Sequence, residues 1–430
     1  MNLTHSVQTL VLYTLFLGLI NSLESATTTQ STFLPNPEYE SIVKKSCASQ
    51  SDFPPLVIHQ SLSDPQKQYW LLSLDGGGVR GILHLATLAK LEEQTGKRIV
   101  DLFDGIAGTS IGGIIAAILT MPDPNDPSKP KYSPRQLLNI FFARGHTMFQ
   151  PKWLSFNGIL RTKYKTNGIK DFLANMLGKN TFKNRWLPTV LVTHDLHTYN
   201  VKVFSTNDDE DFFAKDLAMA TAAAPTYYKP QHVYPINNPS SNGYFVSDGG
   251  TSMSNPALAG IELIHKHYNA AIDQIHVFSL GTGMSNIKLT NSALRRGAGL
   301  SWMWELTNLF MYGQQSADIN TARFFCGHRY HRLNPPLPLA NLVFDDLSDA
   351  NKTALMSANE KMLSENAAEF NKVATSLTTA ADVKQPRTIQ DMSRDMSVVV
   401  IPEENFAQSA YVWANSWCKT LFYCFGRLME

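Results

Sequence analysis

From about residue 66 onward, apolar positions follow two alternating rhythms. Short unbroken apolar runs, the form of strands buried on both faces, are followed by longer stretches with helical spacing. The run YWLLSL at 69–74 predicts a buried strand, and GILHLATLAKLEEQTG at 81–96 predicts a helix that stops at Gly96. The pair then repeats. FDGIAG at 103–108 predicts a short strand, and IGGIIAAILTM at 111–121 predicts a helix with almost no polar face, which must therefore be buried. Further strands are expected at 189–196, 200–206, 243–247 and 275–283, and a small-residue helix is expected from 216, stopped by Pro225. The Pro- and Lys-rich stretch at 122–134 reads as a surface connection, and 346–369 has helical composition with mixed polarity. Strands alternating with helices in this way encode an α/β fold, a mostly parallel sheet with covering helices.

The two ends of the chain follow different patterns. LVLYTLFLGLI at 10–20 is uncharged, apolar and short for a membrane-spanning helix, and small residues follow at Ser22, Ser25 and Ala26. Residues 1–25 therefore read as a signal peptide, implying a secreted or exported protein. No Lys or Arg precedes the apolar core, so a membrane anchor is the alternative. Residues 26–65 read as a linker, 66–345 as the main folded domain and 346–430 as a helical C-terminal extension. In its tail, Trp413, Trp417, Leu421, Cys424 and Leu428 fall at helical spacing near Lys419 and Arg427. That pattern fits a helix lying in a lipid interface, with packing into the core as the alternative.

Composition narrows the classes of partner. The 430 residues suffice for one large domain or two modest ones, and Lys+Arg 37 against Asp+Glu 36 leaves a net charge of +1. No overall field recruits nucleic acid. The four cysteines, Cys47, Cys326, Cys418 and Cys424, form no CxxC pair and no zinc spacing, so neither a metal site nor a disulfide framework is expected.

The candidate chemistry begins at GTSIG, where Ser110 lies between Gly108 and Gly112 on the junction from predicted strand to predicted helix. A serine hydroxyl is a weak nucleophile, so an enzyme must expose it, take its proton and stabilise the resulting oxyanion. Gly-x-Ser-x-Gly permits the sharp turn that exposes it. Chance alone would place such a pattern in about one chain of seven of this length, so other parts are needed. LDGGGVRG at 74–81 supplies a second part: Gly76, Gly77 and Gly78 bring backbone amides to a helix start, a donor set suited to a developing negative charge. The same letters satisfy a dinucleotide-binding pattern with Asp101 or Asp104 downstream, but that reading leaves Ser110 without a role. For the base, His265, His267 and His276 follow in the order of a Ser-His-Asp esterase, though none has a distinctive setting. Asp248, followed by Gly249 and Gly250 between a short strand and a helix, is better placed to reach the serine directly.

The Gly-rich loop, Gly-x-Ser-x-Gly and Asp-Gly-Gly in this order resemble the patatin-like phospholipases. The resemblance runs from about residue 69 to at least 283 and includes ATAAAPTYYKP at 220–230 and FSLGTG at 278–283. It implies a three-layer α/β/α fold with a mostly parallel central sheet and a Ser/Asp dyad in place of a triad. Carried onto matching positions, it makes Ser110 the nucleophile, Asp248 the general base and the amides around Gly76, Gly77 and Gly78 the oxyanion hole. Asp75, Arg80, Gly81, Gly108, Gly112, Gly249 and Gly250 become supporting motif positions, with Arg80 either a structural contact or a binder of substrate charge. The implied activity is a lipid acyl hydrolase of phospholipase A type, acting with water on phospholipid or glycolipid membranes and needing no calcium, metal or organic cofactor. A storage or lipid-binding protein of the same fold is the non-enzymatic alternative.

Overall fold

The apolar run at 69–74 is strand β1 (Tyr69–Leu74), with all six residues buried. The structure is a computed structural model and describes residues 67–152, 161–238, 240–285, 300–338, 341 and 343–383. The expected leader at 1–25, linker at 26–65 and interfacial tail at 413–428 lie outside the described residues. The strands continue as β2 (Gly105–Thr109), β3 (Thr189–Asp195), β4 (Val201–Ser205), β5 (Gln231–Val233) and β6 (Tyr244–Asp248). They end with β7 (Ile275–Leu280), β8 (Met284–Ser285), β9 (Tyr330–Leu333) and β10 (Pro336–Leu337). The main sheet has the order β5-β6-β3-β2-β1-β7-β9, with β4 also on β3, and β8 pairs separately with β10. From β3 across to β9 every neighbour is parallel, whereas β4, β5 and β6 join as antiparallel strands.

The helices are α1 (Ile82–Thr95), α2 (Ile111–Leu119), α3 (Pro134–Arg144), α4 (Thr166–Leu177), α5 (Ala214–Thr221) and α6 (Ala257–Tyr268). After them come α7 (Leu300–Cys326), α8 (Asp349–Glu365) and α9 (Ala367–Val383). Successive strand residues point to opposite faces, so each strand feeds two cores. Trp70, Leu72, Leu74, Ile106, Leu191 and Phe278 pack with α1 to α5, α8 and α9. Tyr69, Leu71, Ala107, Val190, Val192 and Val277 pack on the other face with α6 and the end of α7. The result is the expected three-layer α/β/α arrangement with a mostly parallel sheet. Leu355, Met362, Phe370 and Leu377 of α8 and α9 belong to the same core cluster as α1.

Several local outcomes differ from the sequence pattern, among them helices α3 and α4 and strands β5 and β9, which it did not mark. The helix expected to run to Pro225 ends at Thr221, and the Ala223 carbonyl instead accepts the Asp248 amide at 3.1 Å. Helix α7, 27 residues long, was not anticipated at all.

Pairing along β3 decides what meets at the sheet's end. A strand has two edges, and β4 pairs with Val190 to His194 along one of them. Strand β2, paired with Thr189 to Val192, and strand β6, paired with Thr193 to Asp195, must therefore share the other. Because β2 is parallel to β3 and β6 antiparallel, the two run toward each other and meet head to head. Thr109 lies beside Val192, and Asp248 beside Thr193.

Close approach of backbone fixes the junction. A Cβ at Gly112 would lie 2.1 Å from the Leu74 carbonyl oxygen, far inside contact distance. Gly112→Ala should therefore destabilise the protein by about 2 kcal/mol, within the usual range for overpacking, and lower its melting temperature. Gly313→Ala, on α7 with open space around it, should leave the melting temperature unchanged or raised, because alanine favours helix. Equal melting temperatures in a calorimetric comparison would contradict this packing.

Candidate active site

Ser110 follows β2 directly and caps the start of α2 with φ 54 and ψ −123, a conformation that L residues rarely adopt. The flanking glycines do not carry this strain, for neither has a positive φ. They are needed for space: a Cβ on Gly108 would meet the Gly112 carbonyl oxygen at 2.4 Å. The strained serine is held by its own amide, which donates to Thr221 Oγ1 at 2.9 Å, while that hydroxyl donates onward to the Val192 carbonyl at 2.6 Å. Thr221 was not singled out in the sequence, where it is one small residue in an alanine-rich helix.

The Ser110 hydroxyl donates to Asp248 Oδ2 at 2.7 Å, and no histidine stands between them. Oδ1 of the same carboxylate accepts the Gly250 amide at 2.7 Å, which fixes its orientation. Gly249 has to lack a side chain because its Cβ would lie 2.3 Å from the Val192 carbonyl oxygen. Burial pushes the Asp248 carboxyl up from 3.8 to about 6, and the bonds from Ser110 and Gly250 only partly oppose that shift. The group is thus ionised at neutral pH yet a much stronger base than a surface aspartate.

The glycine loop lies beside the serine, for a Cβ built on Gly76 would be 3.4 Å from Ser110 Cβ. The expectation of three free amides needs correction at Gly76. Its N–H donates to the Ser254 carbonyl at 3.0 Å, and its carbonyl accepts from the Thr282 hydroxyl at 2.7 Å. The amides of Gly77 and Gly78 have no acceptor among the described residues, which leaves them as the candidate oxyanion donors. Gly78 takes φ 61, and a Cβ there would strike the Phe344 carbonyl oxygen at 2.1 Å.

Residues 72–261 match the family described as patatin-like phospholipase. The chain carries a patatin-like phospholipase domain. It is 27% identical over 343 residues to Patatin-like protein 4 of Arabidopsis thaliana, covering 70% of this chain and 84% of that one. It is 26% identical to the probable inactive patatin-3-Kuras 1 of Solanum tuberosum, covering 70% and 88%. A third relative, the cGAMP-activated phospholipase of Vibrio cholerae, is 25% identical over 71% of this chain and 93% of its own. Among solved structures, VipD from Legionella pneumophila shares 12% identity across 69% of this chain and 67% of its own, with a TM-score of 0.30.

The remaining candidate residues, inside the patatin-like stretch and beyond it, have structural partners. Arg80 is 3% exposed, its Nε donates to the Gly77 carbonyl at 3.1 Å and its guanidinium lies 4.6 Å from the centre of the Phe344 ring. The cavity beside it, lined by Gly76, Ser254, Thr282 and Gln315 among others, has room for about one water. These contacts favour the structural reading of Arg80 over capture of substrate charge. Asp75 is fully buried and bonded to Asn255, Gln315 and Arg332. Gly81 packs against Ile111, where a Cβ would lie 2.4 Å from Cγ1. Asp101 pairs with Arg98, and Asp104 accepts the Trp70 amide, so both acids of the dinucleotide pattern have structural partners. Of the histidines, His265 bonds the Ala270 carbonyl, His267 meets Asn207, and His276 stacks on Trp70.

Two outcomes follow from this geometry. Phosphonylation of Ser110 by a soluble fluorophosphonate should slow as pH falls through about 6, because protonated Asp248 can no longer accept the hydroxyl proton; a rate profile with its acid limb near 4 would contradict the shift. Thr221→Val, which loses the acceptor for the Ser110 amide, should slow that labelling about tenfold or more, with Thr221→Ser restoring it. Equal rates in both variants would leave Thr221 no part in holding the serine.

Proposed function

We propose that the protein is a lipid acyl hydrolase of phospholipase A type, using Ser110 as nucleophile and Asp248 as general base. The observation that carries this reading is the 2.7 Å bond from a strained, half-buried serine to a buried carboxylate whose basicity is raised. Asp248 takes the Ser110 proton as Oγ attacks an ester carbonyl, and the oxyanion that forms is held by the Gly77 and Gly78 amides. The tetrahedral intermediate collapses, the acyl–oxygen bond of the substrate breaks, and the leaving lysolipid oxygen takes the proton from Asp248. Water, deprotonated by the same carboxylate, then attacks the acyl-enzyme; the acyl–Oγ bond breaks, the Ser110 oxygen takes the proton from Asp248, and the fatty acid is released. Membrane phospholipids or glycolipids are the substrate class, in keeping with the relatives named as phospholipases.

The relative named probable inactive gives the contrary reading, a lipid-binding protein that keeps the fold without turnover, its own specific support. Mass spectrometry of products from mixed phospholipid and glycolipid vesicles distinguishes the two. Wild-type protein should release free fatty acid and lysolipid and should react with a fluorophosphonate, while Ser110→Ala and Asp248→Asn should do neither above background. Unreactive wild-type protein would favour the binding protein. Undiminished turnover by Asp248→Asn would end the dyad mechanism.

A further inference from the structure

Asp75 immediately precedes the glycine loop, and its carboxylate is fully buried. Three donors from three separate segments of the chain converge on it. Asn255 Nδ2 reaches Oδ1 at 2.6 Å, Gln315 Nε2 of α7 reaches Oδ2 at 2.9 Å, and the Arg332 guanidinium of β9 reaches Oδ2 at 2.6 Å. Arg332 uses its other terminal nitrogen to donate to Ser279 Oγ of β7 at 2.7 Å, and the same hydroxyl accepts from Asn255 at 3.1 Å. The network thus links the residue after β1 to β7, β9 and α7 and contains one buried ion pair. Asp318, one turn from Gln315 and 4% exposed, is pushed up to about 8 by burial and by the Asp75 charge.

The network touches both halves of the candidate site. Through Asp75 it holds the start of the glycine loop. Through Asn255 it holds the segment whose preceding residue, Ser254, accepts the Gly76 amide, and whose Met253 carbonyl accepts the Thr109 hydroxyl at 2.9 Å beside the nucleophile. Neither Gln315 nor Arg332 falls within the stretch that matches the family, 72–261.

We infer that Arg332, with Gln315, is a positioning residue for the oxyanion loop: it acts through Asp75 and Asn255 to set where the glycine amides stand relative to Ser110. The inference rests on the hydrolase reading above. It is a matter of placement, and small displacements count, because a misplacement of about 1 Å in an active site costs about a hundredfold in rate. Breaking a buried pair from one side leaves an uncompensated charge that can unfold a protein. The decisive variant therefore removes both charges together, Asp75→Asn with Arg332→Met, and is measured ten degrees below its own melting temperature. Arg332→Lys is the conservative companion, since one ammonium keeps the charge but cannot fork between Asp75 and Ser279.

The expected result on a soluble ester is a kcat at least tenfold lower for the double variant, KM within about twofold, and a fluorophosphonate labelling rate reduced by the same factor. The acid limb near pH 6 should stay in place, because Asp248 and its partners are unaltered. Arg332→Lys should fall between the double variant and wild type. A folded double variant with kcat and labelling within twofold of wild type would overturn the inference, as would a loss carried by KM alone. If wild-type protein is itself unreactive toward the fluorophosphonate, it is the hydrolase reading that fails.

Discussion

The site depends on one constraint of sheet geometry: two strands share a single edge of β3 and run toward each other. Strand β2 delivers Ser110 and β6 delivers Asp248 to the gap between Val192 and Thr193, and the serine–carboxylate bond of 2.7 Å spans that gap. Rigid ladders on three strands fix the two side chains, so no third residue has to orient a mobile base. A histidine between nucleophile and acid would need space that this head-to-head junction does not leave. The glycines at 108, 112 and 249 serve the same junction, because each lies where a side chain would collide with a backbone carbonyl.

The arrangement costs stability where it sets up chemistry. Ser110 occupies a strained backbone conformation, and Asp248 is buried with hydrogen bonds but, among the described residues, no cation. A carboxyl whose folded-state pKa is raised from 3.8 to about 6 binds protons more tightly in the folded than the unfolded chain over that interval. Folding stability from this group therefore falls as pH rises from about 4 to about 6 and stays reduced above it. The second buried carboxylate near the site is treated differently. Burial pushes the Asp75 carboxyl up as well, but there a guanidinium and two amide donors oppose the shift, as suits a group that holds a loop. The two aspartates differ in partner: Asp248 meets a serine hydroxyl and a backbone amide, Asp75 a guanidinium and two side-chain amides.

Much of this was legible beforehand. The alternation of apolar runs with helical stretches marked most strands of the sheet, and the runs at 69–74 and 189–196 matched their strands almost residue for residue. The three motifs marked Ser110, Asp248 and the glycine loop because each needs rare local letters. Helix α7 went unseen, and with it Gln315 and Asp318; Arg332 sits in a four-residue strand with an unremarkable pattern. Thr221 was hidden for another reason, since its role lies in two hydrogen bonds to residues far away in sequence. Contacts of that kind leave no periodicity to read.

The sequence by itself determined the layered α/β architecture and the candidate side chains of the site, because hydrophobic spacing and glycine placement are local properties of the chain. The tertiary structure alone decided which donors stay free and which basicity results. Gly76 looked equivalent to Gly77 and Gly78 until Ser254, 178 positions onward, took its amide. Asp248 gains the basicity of a group suited to neutral pH only through burial. Desolvation and long-range hydrogen bonding depend on what surrounds a group in space, and a linear pattern does not carry that information.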